Sequence, residues 1–177
     1  MVKFEIVNVV ATASLGESIN LEDFRGVKGV AYDRDVYGGR VAYFRLPNMK
    51  GMVSVFFSGK MISTGTKSED AAIKDLTYVK DMLVKKGFTK PVVLVPKVQN
   101  IVVTADIERS IDLETLAGRH RLIYEPEQFP AAILKIKEPY KASILLFASG
   151  KTVIAGLKTF DEIPKVLNMV SRTISAH

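Results

Sequence analysis

Asn8-Val9-Val10-Ala11-Thr12-Ala13 returns as Asn100-Ile101-Val102-Val103-Thr104-Ala105, an offset of 92 residues. Self-similarity at a fixed spacing marks a duplicated supersecondary unit. At the same offset Ser18-Ile19-Asn20-Leu21-Glu22 meets Ser110-Ile111-Asp112-Leu113-Glu114, and Gly26, Tyr32 and Pro47 meet Gly118, Tyr124 and Pro139. Further along the offset becomes 91: Phe56-Phe57-Ser58-Gly59-Lys60 meets Phe147-Ala148-Ser149-Gly150-Lys151, and Gly65 and Lys67 meet Gly156 and Lys158. A loop absorbs a one-residue slip. The chain therefore divides into a first repeat, 1–90, and a second, 91–177, together one intramolecular pseudo-dimer.

Each half carries the same order of elements. Residues 4–14 and 97–107 are apolar and β-branched, which predicts long strands. Short helices are expected over 20–26 and 112–118, with Asn20 and Asp112 as N-caps. Strands follow at about 39–46, 52–57 and 60–66, matched by 131–138, 143–148 and 151–158. Ser58-Gly59 and Ser149-Gly150 fall where tight hairpin turns belong. A longer helix closes each half. Ser68 caps the first, with Glu69 and Asp70 in its first turn and Ala72, Ile73, Leu76, Val79 and Leu83 as its stripe. For the second, Thr159 and Glu162 have capping-box spacing; if Asp161 is the cap, Pro164 falls in the tolerant first turn.

Composition narrows the function classes. Hydrophobic residues at 47% and charged residues at 25% describe a globular chain that can bury a core. The net charge of +6 favours an acidic partner such as nucleic acid. There is no Cys, and His120 and His177 are the only histidines, so thiolate and His-based metal sites are excluded and no cofactor is expected. The N-terminus does not resemble a signal peptide, and no run of 18 apolar residues could span a membrane.

Strand alternation places Asn8, Val10 and Thr12 on one face, and likewise Asn100, Val102 and Thr104. It groups Lys60, Ile62, Thr64 and Thr66 in the first half and Lys151, Val153, Ala155 and Leu157 in the second. Apolar, hydroxyl and amide groups with lysine at the margin suit neither a dry core nor an ordinary wet surface. A broad apolar face with a basic rim suits the DNA minor groove.

Here the chain resembles the TATA-binding protein family. The resemblance rests on Asn-Val-Val-Ala-Thr at 8–12, Ser-Gly-Lys-Met-Ile-Ser-Thr-Gly-Thr-Lys at 58–67 and Tyr-Glu-Pro-Glu-Gln-Phe-Pro at 124–130, and it covers essentially the whole chain. It implies an α+β fold of two pseudo-symmetric repeats, forming a ten-stranded antiparallel saddle-shaped sheet with helices on the convex face. The concave face would sit on a widened, bent minor groove, a bend known for the family and not deduced from these residues.

By this resemblance Asn8 and Asn100 reach central base edges, with Val10, Ile62, Thr64, Val102, Leu145 and Val153 on the groove floor. Phe56, Phe129 and Phe147 match wedge phenylalanines, and Tyr37 stands where the first repeat's other wedge belongs. Lys60, Lys67, Lys135, Lys151 and Lys158 match phosphate contacts. Tyr43 occupies a usually basic position, for which Arg45 on the same strand face compensates; Ser54 and Ala155 replace a usual Leu and Thr. Glu125 and Glu127 match acidic positions that bind transcription factor B, through which the family recruits RNA polymerase. The short N-terminus resembles an archaeal member, implying a cytoplasmic, nucleoid-associated protein, or a nuclear one if eukaryotic. Without DNA, an apolar concave face predicts self-association.

Other readings are weaker. Gly150-Lys151-Thr152 invites a phosphate loop, but that motif needs a glycine at 145, where Leu145 stands. With His120 the only internal histidine, no nucleophile–base pair can be assembled, so no enzyme is expected. Two alternatives to a promoter-binding factor stay open: a divergent paralogue acting as a regulatory or protein-interaction module, and an accessory substrate-binding domain of a nucleic-acid enzyme.

Overall fold

A computed structural model describes residues 2–176. In chain order these form β1 (Phe4–Ser14), β2 (Val30–Ala31), β3 (Val41–Phe44), β4 (Met52–Phe56), β5 (Lys60–Thr66), α1 (Glu69–Lys85), β6 (Lys97–Asp106), α2 (Leu113–Arg119), β7 (Ala131–Ile136), β8 (Ala142–Phe147), β9 (Lys151–Leu157) and α3 (Glu162–Ser175). Contacts gather the chain into two compact units: Asn8–Gln99, and Asn100–His177 together with Met1–Val7.

In the Asn8–Gln99 unit the strands lie in the order β2-β3-β4-β5-β1, each antiparallel to the next. A 3-10 turn at Leu21–Phe24 replaces the expected short helix; its cap is the expected Asn20, whose side chain accepts from the Glu22 N–H. The α1 cap is Ser68, which accepts from the Ala71 N–H. The helix packs on β4 and β5, and it buries Leu76, Val79 and Leu83 on the same side as Val53, Val55 and Met61. Phe24 meets Phe44 and Phe88 edge-on, at centroid distances of 5.2 and 4.9 Å. Full burial of such a side chain contributes about 1.5–3 kcal/mol. The buried Asp75 carboxylate ties α1 to the β3–β4 loop, accepting from the Lys50 and Gly51 N–H groups at 3.1 and 2.7 Å.

In the other unit the order is β6-β9-β8-β7, again antiparallel. Asp112 caps α2 as expected, accepting from the Thr115 N–H. Asp161 is the α3 cap position but makes no side-chain cap bond. Glu162 instead reaches back, its carboxylate accepting from the Lys158 and Thr159 N–H groups, and Pro164 sits in the first turn where its missing N–H costs nothing.

Nine strands are present among the described residues, not ten. The second-repeat counterpart of β2 is reduced to a single bridge, Ile123 to Ile133. The Ser58-Gly59 and Ser149-Gly150 turns close as expected: the Gly59 and Gly150 N–H groups donate to the Phe56 and Phe147 carbonyls, both at 2.9 Å. Both glycines have positive φ, and a Cβ at either would strike a backbone carbonyl, that of Glu17 or Arg109.

Two register features correct the sequence-based expectations. Gly65 and Gly156 have φ of +83° and +97°, and the ladder shifts beside each, between Val9 and Ala11 and between Ile101 and Val103. An extra residue there reverses the alternation. Thr66 and Leu157 therefore do not share the face of Ile62 and Val153; both are buried. Second, Tyr43 pairs with Ser54 and Ala31, whereas Ile133 pairs with Leu145 and Ile123. On this strand the repeat offset is 90, because the loop 32–40 is two residues longer than 124–130. Tyr43 is thus the counterpart of Ile133, and Arg45 is the counterpart of Lys135.

Candidate nucleic-acid interface

Cross-strand partners share a face of the sheet. In the Asn8–Gln99 unit, Thr12, Ile62, Ser54 and Tyr43 form one such row. In the other, Thr104, Val153, Leu145 and Ile133 form its counterpart. The residues between them along each strand, such as Met61, Ser63, Ile144 and Ile154, are fully buried. The rows belong to the opposite face, where Thr12, Ile62, Thr104, Val153, Leu145 and Ile133 are half-buried. Val10, Val102 and Thr64 are likewise half-buried, and Thr64 lies across from Met52. Ser54 leaves a notch in its row where Leu145 fills the other, and Ala155, opposite Ser143, is half-buried.

Asn8 and Asn100 are held by the bulges. The Gly65 N–H donates to the Asn8 Oδ1, and the Gly156 N–H to the Asn100 Oδ1, both at 2.8 Å. An N–H cannot donate to an NH2 group, so these bonds fix which way each amide faces. The acceptor end of each side chain is engaged, and the Nδ2 donors carry no bond among the described residues. Each side chain thus bonds backbone through its oxygen and keeps its nitrogen donors available. The sequence missed the two glycines as partners, although Gly65 and Gly156 were visible as a repeat match.

The aromatic positions fall into two clusters. Phe147 meets Phe129 edge-on at 6.3 Å, and Phe129 is 42% exposed. Phe147 also lines a cavity of about 620 Å³ with Lys3, Phe4, Thr104, Lys151 and Val153. Lys3 and Phe4 are residues the sequence did not single out. In the other unit Phe56 lines a cavity of about 800 Å³ with Tyr37, Arg40, Tyr43 and Phe57. Tyr37 is 74% exposed, at a φ of +50°, and is followed by Gly38 and Gly39, both also at positive φ. A bulky residue there is strained by about 1–2 kcal/mol. Tyr37 sits within the longer loop, so it occupies no strict equivalent of Phe129.

Lys60, Lys67, Lys135, Lys151 and Lys158 are exposed, as is Arg45. Lys60 lies opposite Ser14, whereas Lys151 lies opposite Asp106, a carboxylate that the first repeat lacks. Glu125 and Glu127 are exposed in the segment before β7, where the Glu125 carbonyl accepts from the Gln128 and Phe129 N–H groups, both at 2.9 Å. That turn props Phe129 outward.

Comparison with known proteins identifies relatives of the whole chain. The family described as "Transcription factor TFIID (or TATA-binding protein, TBP)" matches residues 3–86 and again 95–177. A TATA-box-binding protein of Cenarchaeum symbiosum is 40% identical over 159 residues, covering 89% of this chain and 86% of that one. One from Sulfolobus acidocaldarius is 38% identical, covering 93% of this chain and 83% of its own. The solved structure of the Methanococcus jannaschii TBP superposes with a TM-score of 0.88 at 31% identity, covering 99% of both chains.

Proposed function

We propose that this chain, which belongs to the TATA-binding protein family, reads the minor groove of TATA-like promoter DNA through the face bearing Asn8 and Asn100. The family consists of DNA-binding transcription factors acting in transcription initiation and is not enzymatic. The observation that carries the base-reading role is the repeated asparagine–glycine bond. It occupies the Oδ1 acceptor at both sites and leaves donors. A·T pairs offer the minor groove only acceptors, whereas G·C adds an N2 donor group. A donor-only side chain matches the acceptors of an A·T pair, whereas at a G·C pair it faces the added N2 donor and leaves that group without a partner.

Around these amides, Val10, Ile62, Thr64, Val102, Leu145 and Val153 supply apolar contact with the groove floor. Phe56, Phe129 and Phe147, with Tyr37, act as wedges at the base steps, where unstacking is repaid by added contact. Lys60, Lys67, Lys135, Lys151, Lys158 and Arg45 hold phosphates and supply salt-dependent affinity. Glu125 and Glu127 are the proposed contact for transcription factor B, and through it for RNA polymerase. The archaeal relatives support a nucleoid-associated, cytoplasmic setting.

A second reading, a regulatory paralogue with relaxed specificity, is favoured by one set of observations: the strained, exposed Tyr37 and the Ser54 notch lie in the same unit. One experiment separates the two. A labelled duplex with a TATA-like box is compared with a G·C-rich duplex across a salt series, alongside Asn100→Ala and Phe147→Ala. Preference for the A·T duplex, lost in both variants, supports minor-groove reading. Equal, steeply salt-dependent binding to both duplexes, unchanged in the variants, supports the paralogue.

A further inference from the structure

Between α1 and β6 the chain runs Pro91-Val92-Val93-Leu94-Val95-Pro96, an apolar stretch that belongs to no strand. Exposed and half-buried residues alternate along it, the two-residue period of extended chain. Val93 is 89% exposed and Val95 84%. The backbone N–H and C=O groups of Val92, Val93, Leu94 and Val95 form no hydrogen bond among the described residues. An isolated exposed valine needs no explanation. Two on one side of an unpaired extended segment form the kind of edge that proteins normally cover or charge.

The surrounding charge has one sign. Residues 85–97 contain Lys85, Lys86, Lys90 and Lys97 and no acidic residue. All four lysines are exposed. Lys90 alone has a carboxylate near it: its Nζ lies 3.9 Å from Glu17, whose other oxygen accepts from the Lys90 N–H at 2.8 Å. Lys85, Lys86 and Lys97 form no ion pair among the described residues.

We propose that residues 91–96 are a docking strand, taking by β-addition an extended segment of a partner protein that is apolar at its centre and acidic at its ends. The unpaired amides and carbonyls supply main-chain bonds, Val93 and Val95 supply the side-chain contact, and the lysines select the charge. Pro91 and Pro96 lack N–H groups, so pairing stops after four residues and a growing sheet cannot form. A second copy of this chain is a poor occupant, because it would set four lysines against four. Duplex DNA would satisfy the lysines but offers no edge for the amides and no apolar surface for two valines.

The test uses the full chain, 15N-labelled, and a short peptide of alternating valine and threonine flanked by glutamates. The peptide is expected to shift the Val92–Val95 amide resonances and to slow hydrogen exchange by about tenfold or more at the alternate amides that face the added strand. Affinity should fall by about tenfold when the flanking glutamates are replaced by lysines, when alternate peptide nitrogens are methylated, and in Val93→Ser/Val95→Ser. Those side chains are exposed, so the double variant should melt as the parent does and bind the TATA-like duplex equally well. The proposal is overturned if no amide of the four is protected, if the lysine-flanked peptide binds as well, if the duplex moves them instead, or if sedimentation finds a dimer that the double variant abolishes.

Discussion

Asn100 holds its Oδ1 2.8 Å from the Gly156 N–H, so aspartate could keep that bond while losing both donors and adding a charge near the phosphates. Asn100→Asp should therefore melt close to the parent yet bind a TATA-like duplex about tenfold to a hundredfold more weakly. Equal affinity in a fluorescence-anisotropy titration would remove the amide from the reading mechanism. The asparagines were legible in sequence because they recur at 8 and 100. The direction of each amide was not, because it depends on a bulge residue 57 or 56 positions away along the chain. Arg45 shows a related limit. Its equivalence to Lys135 emerges only once the strand pairing exposes a two-residue difference in the preceding loops. Tyr37 stood out in the sequence only as a replacement at a wedge position; its 74% exposure and left-handed backbone are invisible in a residue name.

Whole elements were easier to read than their irregularities. Ser68, Asn20 and Asp112 could be recognised as caps because a side-chain acceptor before an apolar stripe has few other uses. Thr66 and Leu157 were misplaced because strict alternation fails at a glycine bulge. On the buried face of β5, Ser63 is fully buried and its hydroxyl has no hydrogen-bond partner among the described residues. Its repeat counterpart is Ile154, also fully buried. Ser63→Ala should therefore stabilise the protein by about 1 kcal/mol in urea denaturation; a loss of stability would mean that the hydroxyl has a partner. Glu17, in the loop after β1, ties that loop to the segment following α1, accepting from the Thr89 hydroxyl and the Lys90 N–H, both at 2.8 Å. The Lys90 backbone bond, then the Thr89 hydroxyl, holds its carboxyl below the ordinary value of 4.5. A depressed folded-state pKa contributes stability that is complete above 4.5 and fades as pH falls through the lower folded value. The gap in melting temperature between parent and Glu17→Gln should thus be constant near neutrality and close in acid. A gap independent of pH would show that the carboxylate's charge is irrelevant.

Across the whole molecule the two repeats are alike in outline and unlike in chemistry. One has a ring-packed aromatic pair and a carboxylate opposite its rim lysine; the other has a strained tyrosine loop and a serine there. If the rim lysines neutralise phosphates, Lys158→Ala should reduce the slope of log affinity against log salt by about 0.9, without altering the preference for A·T over G·C. A changed preference with an unchanged slope would assign that lysine to base reading. The division of β1 has a different kind of consequence. Its first residues, up to Val7, group with Asn100–His177, and the rest group with Asn8–Gln99. The seam in the ancestry, near residue 90, and the seam in the folded object therefore do not coincide. A gene split at the repeat boundary would leave each piece carrying a segment that groups with the other and lacking one of its own. Each opening segment would then have to find its partner between two molecules rather than within one.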